Sequence, residues 1–403
     1  MGKRIVVSGS SFGGFNAAVA LRYSLGPTDD VTVVSSEKMF TFVPSLPWVA
    51  MGWKNPEDIQ ADVAVRLGKL GIKFIHDTIV KAEPDKCRVR GSAGEYDYDY
   101  LVAATGSELD FSAIPGMGPE GGNSYSIFNV HQAMQTKSAL DALIERGSGH
   151  IVLGNAPGAS CLGPVYELAM MMDTKLRGLK IRPKFKISLF TNEPFLGHFG
   201  VGGFGAMGRM MEDEFADRGI AWKTNAKLTQ VLPDGVEFGD GDKWKSDFSL
   251  IVPAFFGSHA YMGIEGFSNP RGFIIGDDYL ANPKYQNVYA VGVTLAIPPP
   301  AETPVAVGVP KTGQMTGAMA EAAAHNIVAD IRGGAKKRGK DFSVICIADA
   351  GDTAFYISAS PLLPPRNKLR HDRGRVYHWM KHAFERYYMA MVKYGAPKLE
   401  FGW

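Results

Sequence analysis

Hydrophobic and polar positions divide the chain into short apolar runs, two of which lead through a glycine-rich turn into a stretch with helical periodicity. Residues 5–8, 31–34 and 150–153 are short, predominantly apolar runs of the kind that forms buried parallel strands. Apolar positions with a period of 3.6 residues follow at 15–25 and 166–176. Strand, turn and helix in this order predict two dinucleotide-binding units and an α/β fold.

The first glycine-rich turn follows the first strand. Gly9 and Gly14 match the outer glycines of a G-x-G-x-x-G motif, Gly13 lies beside the last one, and Ser11 replaces the middle glycine. Because serine is small, a pyrophosphate can still approach the N-terminus of the following helix. Glu37 lies after the second strand, where a carboxylate grips the ribose of a bound adenosine. Taken alone, this imperfect motif is weak evidence.

The second turn contains a cysteine. It begins at Gly154, carries Ala156 and Ala159 in place of glycines, and places Cys161 where the next helix is predicted to begin. The positive end of a helix dipole lowers the pKa of a thiol, so this turn suits sulfur chemistry better than pyrophosphate binding. An NADH site here is disfavoured, although Glu193 is the acid that would hold its ribose.

Two later strands resemble segments of flavoproteins with two dinucleotide-binding domains. One strand ends in Thr105-Gly106, and the other ends at Gly292 and Val293. The resemblance implies that the first segment closes an FAD-binding unit and that the late glycine lies along the ribityl chain of the flavin. That family usually has aspartate where this chain has Val293.

Composition excludes several protein classes. The 403 residues suffice for two or three domains, and a net charge of +2 gives no basic field for nucleic acid. Three cysteines, Cys87, Cys161 and Cys346, are too few for a disulfide-rich secreted scaffold, and the spacing of the histidines and cysteines assigns no metal ligands. No uncharged apolar run reaches the length of about 18 residues that spans a membrane. Because a strand starts at residue 4, we expect no signal peptide and a cytoplasmic location.

Seven short segments together resemble sulfide:quinone oxidoreductase. In chain order they are 42–45, 50–53, 161–167, 195–203, 303–304, 308–313 and 346–349. The resemblance implies two Rossmann-like domains of the glutathione-reductase type and a C-terminal amphipathic helical segment that associates with membranes. The implied boundaries are 1–125 with 285–345 for the FAD domain, 126–284 for the domain with the redox cysteine, and 346–403 for the quinone and membrane segment.

The same resemblance implies the chemistry. Cys161 and Cys346 match the redox pair that flanks the flavin. Hydrosulfide would attack a disulfide or sulfur-bridged pair, leaving a persulfide on one cysteine and a thiolate on the other, and two electrons would pass through FAD to quinone. The sulfur would leave as sulfane sulfur or polysulfide. Glu167 and His198 match acid–base positions; the alternatives are a solvated helix carboxylate and a loop histidine that caps backbone groups.

A long helical pattern runs from about residue 313 to about residue 331, ahead of the C-terminal region. Lys311, Thr312 and Gly313 lie at its start. The resemblance places this lysine and the helix N-terminus beside the pyrimidine edge of the flavin. A cation and a helix dipole there stabilise the negative charge of the reduced cofactor.

The C-terminal region carries nine Lys or Arg between residues 366 and 398, interleaved with aromatic residues and methionines. It predicts a helix lying in an anionic membrane interface, so that the protein is peripheral on the cytoplasmic side of the cell membrane. A helix packed on its own protein, or on a partner in a homo-oligomer, is the alternative. The resemblance implies that Ile345 and either Tyr387 or Tyr388 clamp the quinone ring. The predicted apolar face comprises Tyr377, Met380, Phe384, Tyr388 and Met391.

Three other functions stay open at this stage. A type II NADH:quinone oxidoreductase would have its flavin reduced by NADH. A flavocytochrome-c-type sulfide dehydrogenase subunit would need an export signal and a haem partner. A weakened sulfur-binding or redox-sensing relative is suggested by Phe128, which occupies the position where the family commonly has a third cysteine.

Overall fold

Two parallel sheets with helices packed on them, followed by an antiparallel sheet and a final helix, make up the computed structural model, which describes residues 2–395. The strands are β1 (Arg4–Ser8), β2 (Asp30–Ser35), β3 (Met39–Thr41), β4 (Gln60–Asp62), β5 (Lys73–His76), β6 (Ile79–Glu83), β7 (Arg88–Gly91), β8 (Glu95–Asp97), β9 (Tyr100–Ala103), β10 (Ser107–Asp110), β11 (Gly149–Asn155), β12 (Phe185–Phe190), β13 (Ile220–Lys223), β14 (Leu228–Leu232), β15 (Gly235–Phe238), β16 (Lys243–Lys245), β17 (Phe248–Val252), β18 (Ala254–Gly257), β19 (Val288–Ala290), β20 (Val344–Asp349), β21 (Ala354–Ser360) and β22 (Lys368–Gly374). The helices are α1 (Phe12–Ser24), α2 (Leu46–Ala50), α3 (Val63–Lys69), α4 (Val130–Arg146), α5 (Gly163–Gly178), α6 (Met207–Asp217), α7 (Gly313–Arg332) and α8 (Arg375–Tyr394).

The first parallel sheet has the strand order β19-β9-β1-β2-β5. Its central strands are buried on both faces, which explains their predominantly apolar runs. The late strand β19 pairs with β9, so the segment after β19 returns to the carboxyl edge of the sheet where the first glycine turn lies. Helices α1 and α7 pack against each other beside this edge.

The second parallel sheet has the order β13-β12-β11-β17, with α5 packed on it. The antiparallel pair of β10 and β18 links the segment after the first sheet to the segment after the second. The smaller sheets are β3-β4, β6-β7-β8 and β14-β15-β16.

The antiparallel sheet β20-β21-β22 joins the body of the molecule to α8. Strand β20 begins at Val344, so the predicted domain boundary between residues 345 and 346 falls inside this strand. The domain boundaries stay predictions. Residues 396–403, which the predicted C-terminal segment includes, lie outside the described residues.

Helix α1 begins three residues earlier than the periodicity predicts, because Ser11 is its N-cap and two glycines form its first turn. Helix α7 agrees with its prediction, since Thr312 caps its N-terminus by accepting a hydrogen bond from the Met315 N–H at 3.2 Å. A cap of this type satisfies one of the free N–H groups at a helix start.

The C-terminal helix forms as predicted, and most of its predicted apolar face lies inward, since Tyr377 and Tyr388 are buried and Phe384 and Met391 pack against the core. Its buried stripe includes Tyr377, Lys381, Glu385, Tyr388 and Val392, whereas Met380 is 42% exposed. Two charged residues of this stripe, Lys381 and Glu385, can be buried because each forms an ion pair with another residue of the protein. Helix α8 therefore packs on its own protein. Among residues 2–395, no helix combines the length and the apolar composition that crossing a bilayer requires.

Candidate redox site

Two cysteines that are far apart in the sequence meet at the contact between α5 and β20. Cys161 lies in the turn between β11 and α5, and Cys346 lies within β20, which packs against α5. The two thiols interact electrostatically, since the charge of Cys346 helps to raise the pKa of Cys161. Both are free cysteines. The structure thus brings together the two predicted redox residues.

The environment of Cys161 contradicts the predicted lowering of its thiol pKa. Helix α5 begins at Gly163 with Leu162 as N-cap, so Cys161 lies outside the helix. Burial, with Cys346 and Glu167 nearby, raises the pKa of Cys161 to about 12, and burial raises that of Cys346 to about 11. For Cys161 this corresponds to about 4 kcal/mol in favour of the neutral thiol. A helix terminus contributes only about 0.3–1 kcal/mol, so desolvation outweighs it.

Glu167 lies in the second turn of α5 and is buried rather than solvated. Its Oε1 accepts hydrogen bonds from the Lys381 ammonium and from the Asp349 backbone N–H, the latter at 2.8 Å. Burial raises the pKa of Glu167, and the charge of Lys381 opposes that rise. The carboxylate therefore joins α5, β20 and α8 directly beside the cysteine pair.

Lys381 is the site residue that the sequence analysis missed. Its ammonium pairs with Glu167 and lies 5.2 Å from the ring centroid of Trp48, so both the carboxylate and the indole compensate its burial. A signal was present in the sequence. Lys381 follows Tyr377 and precedes Glu385 by four residues each, so all three lie on one helix face.

His198 lies in the loop between β12 and α6 and is buried. Its Nδ1 accepts a hydrogen bond from the Gly200 N–H at 3.2 Å, and burial lowers its pKa. His198 therefore caps a backbone N–H of its own loop, as the second interpretation of this residue predicts. A Cβ on Gly200 would lie 2.0 Å from the Gly308 carbonyl oxygen, and the Gly308 N–H donates to the Ala159 carbonyl at 2.9 Å. The loop that holds His198 therefore packs against Gly308, and Gly308 in turn is hydrogen-bonded to the turn that holds Cys161.

The first glycine turn forms a cradle that only glycine permits. Gly9 has a φ of +104°, and a Cβ there would lie 2.3 Å from the Ala104 carbonyl oxygen. A Cβ on Gly14 would lie 1.8 Å from the Gly9 carbonyl oxygen, and Gly13 contacts the segment after β19. Ser11 ends the turn as the N-cap of α1. The turn thus exposes helix N–H groups to a pyrophosphate.

The adenosine side of this cradle contains Glu37, which is exposed just beyond β2. Its N–H donates to Ser35 Oγ at 3.1 Å, and Ser10 Oγ donates to Ser35 Oγ at 2.9 Å. These bonds fix the backbone at the strand end and leave the carboxylate accessible to a ribose, as the residue spacing predicts.

The flavin side of the cradle is formed by residues from three segments. The Gly106 N–H donates to Thr294 Oγ1 at 3.0 Å, which joins the Thr105-Gly106 turn to the segment that holds Gly292 and Val293. Lys311 Nζ donates to the Val293 carbonyl at 3.4 Å, and burial lowers the pKa of this lysine to about 8. Gly313 starts α7 against Phe12, where a Cβ would come within 2.8 Å of the ring. These residues fit the flavin end of a bound FAD.

Comparison with known proteins agrees with this geometry. Residues 3–320 match the family of pyridine nucleotide-disulphide oxidoreductases. The sulfide-quinone reductase of Aquifex aeolicus is 40% identical over 409 residues, covering 99% of this chain and 94% of that protein. The chain belongs to the sulfide:quinone reductase family.

A solved structure and a second sequence agree with this assignment. The X-ray structure of sulfide:quinone oxidoreductase from the hyperthermophilic bacterium Aquifex aeolicus superposes with a TM-score of 0.94 at 38% identity, covering 99% of this chain and 93% of that one. The mitochondrial sulfide:quinone oxidoreductase of Dictyostelium discoideum is 24% identical over 305 residues, which cover 73% of this chain and 66% of that protein. The predicted family is therefore confirmed.

In this family member, only part of the predicted quinone clamp is open. Ile345 is partly exposed on β20 beside Cys346. Tyr388 is buried, its hydroxyl accepts a hydrogen bond from the Asn16 amide at 2.5 Å, and its ring centroid lies 4.9 Å from that of Phe12 and 5.5 Å from that of Phe40. Tyr388 is therefore a core residue, and its predicted contact with quinone is wrong because protein covers its ring.

The remaining aromatic candidates lie on the same helix. Tyr387 is partly buried, and Phe384, one turn before Tyr388, is also partly buried, with its ring centroid 5.8 Å from that of Phe42. Helix α8 packs against β20, the strand that carries Ile345.

The second turn is not shaped to hold a nicotinamide cofactor. Glu193 is fully buried, and its carboxylate accepts hydrogen bonds from the Tyr166 hydroxyl at 2.6 Å, from the Thr191 hydroxyl at 2.7 Å and from the Phe199 N–H at 2.7 Å. A ribose would have to break these bonds. The acid that other members of the superfamily would use for NADH is here a structural residue.

Proposed function

We propose that this protein oxidises sulfide to sulfane sulfur or polysulfide and passes two electrons to a membrane quinone, with Cys161 and Cys346 as the sulfur-handling pair. The observation that carries the proposal is the meeting of both thiols with Glu167 at the contact of α5 and β20. FAD, when bound, supplies the two-electron relay between sulfur and quinone.

The cysteine pair determines how sulfide is held. Hydrosulfide attacks one sulfur of the oxidised pair, so a new S–S bond forms on that cysteine while the bond between the cysteines breaks. The other sulfur leaves as a thiolate. Because burial raises the pKa of both thiols, the neutral thiol is favoured here, and a thiolate left by this attack is a strong base and nucleophile.

Glu167, paired with Lys381, can accept and donate a proton beside Cys161 and Cys346. Burial raises the pKa of Glu167, so its carboxyl can take up the proton that hydrosulfide releases and return it later. Lys381 moderates this basicity through its ion pair. His198 keeps its backbone-capping role and holds the loop that packs beside the Cys161 turn.

FAD is held by the two ends of the cradle. The glycine turn at Gly9 and Gly14 and the N-terminus of α1 receive the pyrophosphate, and Glu37 receives the ribose. Lys311 and the N-terminus of α7, capped by Thr312, would lie beside the flavin and would favour its negatively charged form.

The outer face of α8 is the part of the protein that meets the membrane surface. Val376 and Trp379 are exposed there with Met380, and Leu369 of the neighbouring strand β22 is also exposed. Basic residues such as Arg370 flank this patch and suit anionic lipid headgroups. The protein is therefore peripheral on the cytoplasmic side of the cell membrane. Association as a homo-oligomer stays a prediction.

Quinone enters beside this patch. Ile345, next to Cys346 on β20, forms one side of its binding site, and an aromatic ring of α8 forms the other. With Tyr388 enclosed in the core, Phe384 and Tyr387 are the rings that remain for this role.

An anaerobic flavin spectrum of the purified protein tests the function. Sulfide should bleach the oxidised flavin band, and a short-chain quinone should restore it, while NADH added to a parallel sample should have no effect. Bleaching by NADH alone would replace the proposal with a type II NADH:quinone oxidoreductase. Binding of sulfide without bleaching would indicate a sulfur-binding relative that does not turn over.

A further inference from the structure

Three potential metal ligands converge behind the cysteine pair, where β20 ends against α8. They are Asp349 on β20 and the histidines His378 and His382 on α8, and their ligand atoms all lie within 4.8 Å of one another. We propose that these three residues bind a divalent transition-metal ion of the Zn²⁺ class, which clamps the C-terminal helix to the strand that carries Cys346.

The helix places both imidazoles correctly for such a site. His378 and His382 are four residues apart on α8, so they project from the same face, and their ring centroids are 4.7 Å apart. The ring of His382 is stacked on Trp48 with centroids 4.1 Å apart and an angle of 5° between the planes. One ligand is thus held in orientation before any ion arrives.

The carboxylate is also fixed by groups around it. Asp349 is fully buried, Trp48 Nε1 donates to its Oδ2 at 2.6 Å, and the Gly351 N–H donates to its Oδ1 at 2.9 Å. Such outer contacts orient ligands in known metal sites and strengthen their binding. Two imidazoles and one carboxylate suit Zn²⁺ and related ions rather than Mg²⁺ or Ca²⁺, which prefer oxygen ligands alone.

The local charges leave room for a cation. Lys381 is paired with Glu167, and Lys54 is paired with Glu385, so each of these lysines already has its own carboxylate. The Asp349 carboxylate is compensated by the indole, one backbone N–H and His378. A divalent ion would supply the positive charge that this buried carboxylate lacks.

Binding of a metal ion would replace the hydrogen bond between His378 and Asp349 with bonds from each residue to the ion. His378 Nδ1 now lies 2.8 Å from Asp349 Oδ1, which is a direct hydrogen bond. Bonds of about 2.0–2.2 Å from an ion to each atom would push these atoms slightly apart, and the proton between them would move to Nε2 of His378 or to solvent. The side chain of His378 is partly exposed, which gives an ion a path from solvent.

The test uses the FAD-loaded, full-length protein titrated with ZnCl₂ by isothermal calorimetry, with MgCl₂ in a parallel run. We expect one Zn²⁺ per chain, no Mg²⁺ binding, and a rise in melting temperature with Zn²⁺. His378→Ala and His382→Ala should each weaken Zn²⁺ binding at least about 100-fold, and Trp48→Phe about 10–100-fold. His325→Ala, on α7 and away from the cluster, is the matched control and should leave the affinity unchanged.

X-ray absorption at the zinc edge of the wild-type protein gives a second measurement that needs no variant. A shell of nitrogen and oxygen at about 2.0–2.1 Å supports the proposed ligands, whereas sulfur at about 2.3 Å means that the cysteines hold the ion. A sulfur shell, unchanged affinity in both histidine variants, or no binding with Zn²⁺ in large excess would each overturn the proposal.

Discussion

Lys381 and Glu167 form a buried ion pair that joins the C-terminal helix to the helix following the Cys161 turn. The same Glu167 oxygen accepts the Asp349 N–H from β20, three residues after Cys346. Through these two contacts, α8, which carries the outer apolar patch, is connected directly to the redox site.

Because this ion pair is buried, we expect the free energy of unfolding to depend on both Lys381 and Glu167. Lys381→Met leaves the Glu167 carboxylate buried without its cation, and we expect it to lower the free energy of unfolding by about 3–5 kcal/mol. Glu167→Gln in the same chain should recover much of this loss, because the uncompensated charge is then gone. Denaturant unfolding of both single variants and the double variant measures the coupling. Lys393→Met on the same helix is the control, and losses that simply add would contradict the pairing.

The cysteine pair predicts the loss of activity when either sulfur is removed. Cys161→Ser and Cys346→Ser should each abolish sulfide-dependent quinone reduction while the flavin absorbance of the purified protein stays unchanged. Cys87→Ser is the matched control and should retain activity, since Cys87 lies beside β7, away from the pair. Full turnover in either of the first two variants would rule out the mechanism with two cysteines.

The raised thiol pKa values predict how the reduced protein responds to alkali. Between the ordinary thiol value of about 9 and the folded values of about 11 and 12, the folded state binds more protons than the unfolded state. Its stability should therefore be fully present below pH 9 and fall as the pH rises from 9 towards 12. The double variant Cys161→Ser/Cys346→Ser should lose less stability over this range, and equal losses in both proteins would contradict the assignment.

Alkylation measures the same property at neutral pH. A thiol whose pKa rises from about 9 to about 12 has about 1000-fold less thiolate at pH 7, so Cys161 of the reduced protein should react with iodoacetamide about 1000-fold more slowly than a free thiol of ordinary pKa. Peptide mapping after timed quenching gives the rate at each cysteine. Modification of Cys161, which is partly exposed, at the rate of an ordinary thiol would show that its pKa is not raised in solution.

The glycine cradle predicts that a single methyl group is enough to prevent FAD binding. Gly14→Ala places a Cβ against the Gly9 carbonyl oxygen, and the turn must open to relieve the clash. We expect the purified variant to contain less than about one tenth of the wild-type FAD, since the turn positions the pyrophosphate. Gly68→Ala on α3 meets open space and should retain full FAD content. Normal FAD content in Gly14→Ala would contradict the role of the turn.

Substitutions in the outer apolar patch of α8 should weaken membrane binding while the protein stays folded. Deleting the helix is an unsuitable test, because it would also remove Lys381 and Tyr388 from the interior. Replacing Trp379, which is 66% exposed, together with Val376 and Met380 by serine should lower sedimentation with anionic vesicles at least about tenfold. Val65→Ser, at a 58% exposed position on α3, should leave sedimentation unchanged. Equal binding by both variants would exclude the patch.

The sequence by itself determined the features that depend on local pattern. Buried parallel strands such as β1 and β11 have short apolar centres, and the Gly9 turn and the Thr312 cap follow from backbone geometry within a few residues. The resemblance identified Cys161 and Cys346 because the motifs around them are themselves local. Helix α8 was also predicted, since its periodicity extends over its whole length.

Only the tertiary structure decided what surrounds each of these residues. It reversed the predicted direction of the thiol pKa, buried Tyr388, turned Lys381 towards Glu167, and brought Asp349 to two histidines of another element. The physical reason is that burial and desolvation depend on segments distant in the chain, which no local pattern records. Packing against a distant partner therefore determines which face of a helix is inside and which form of an acid is stable.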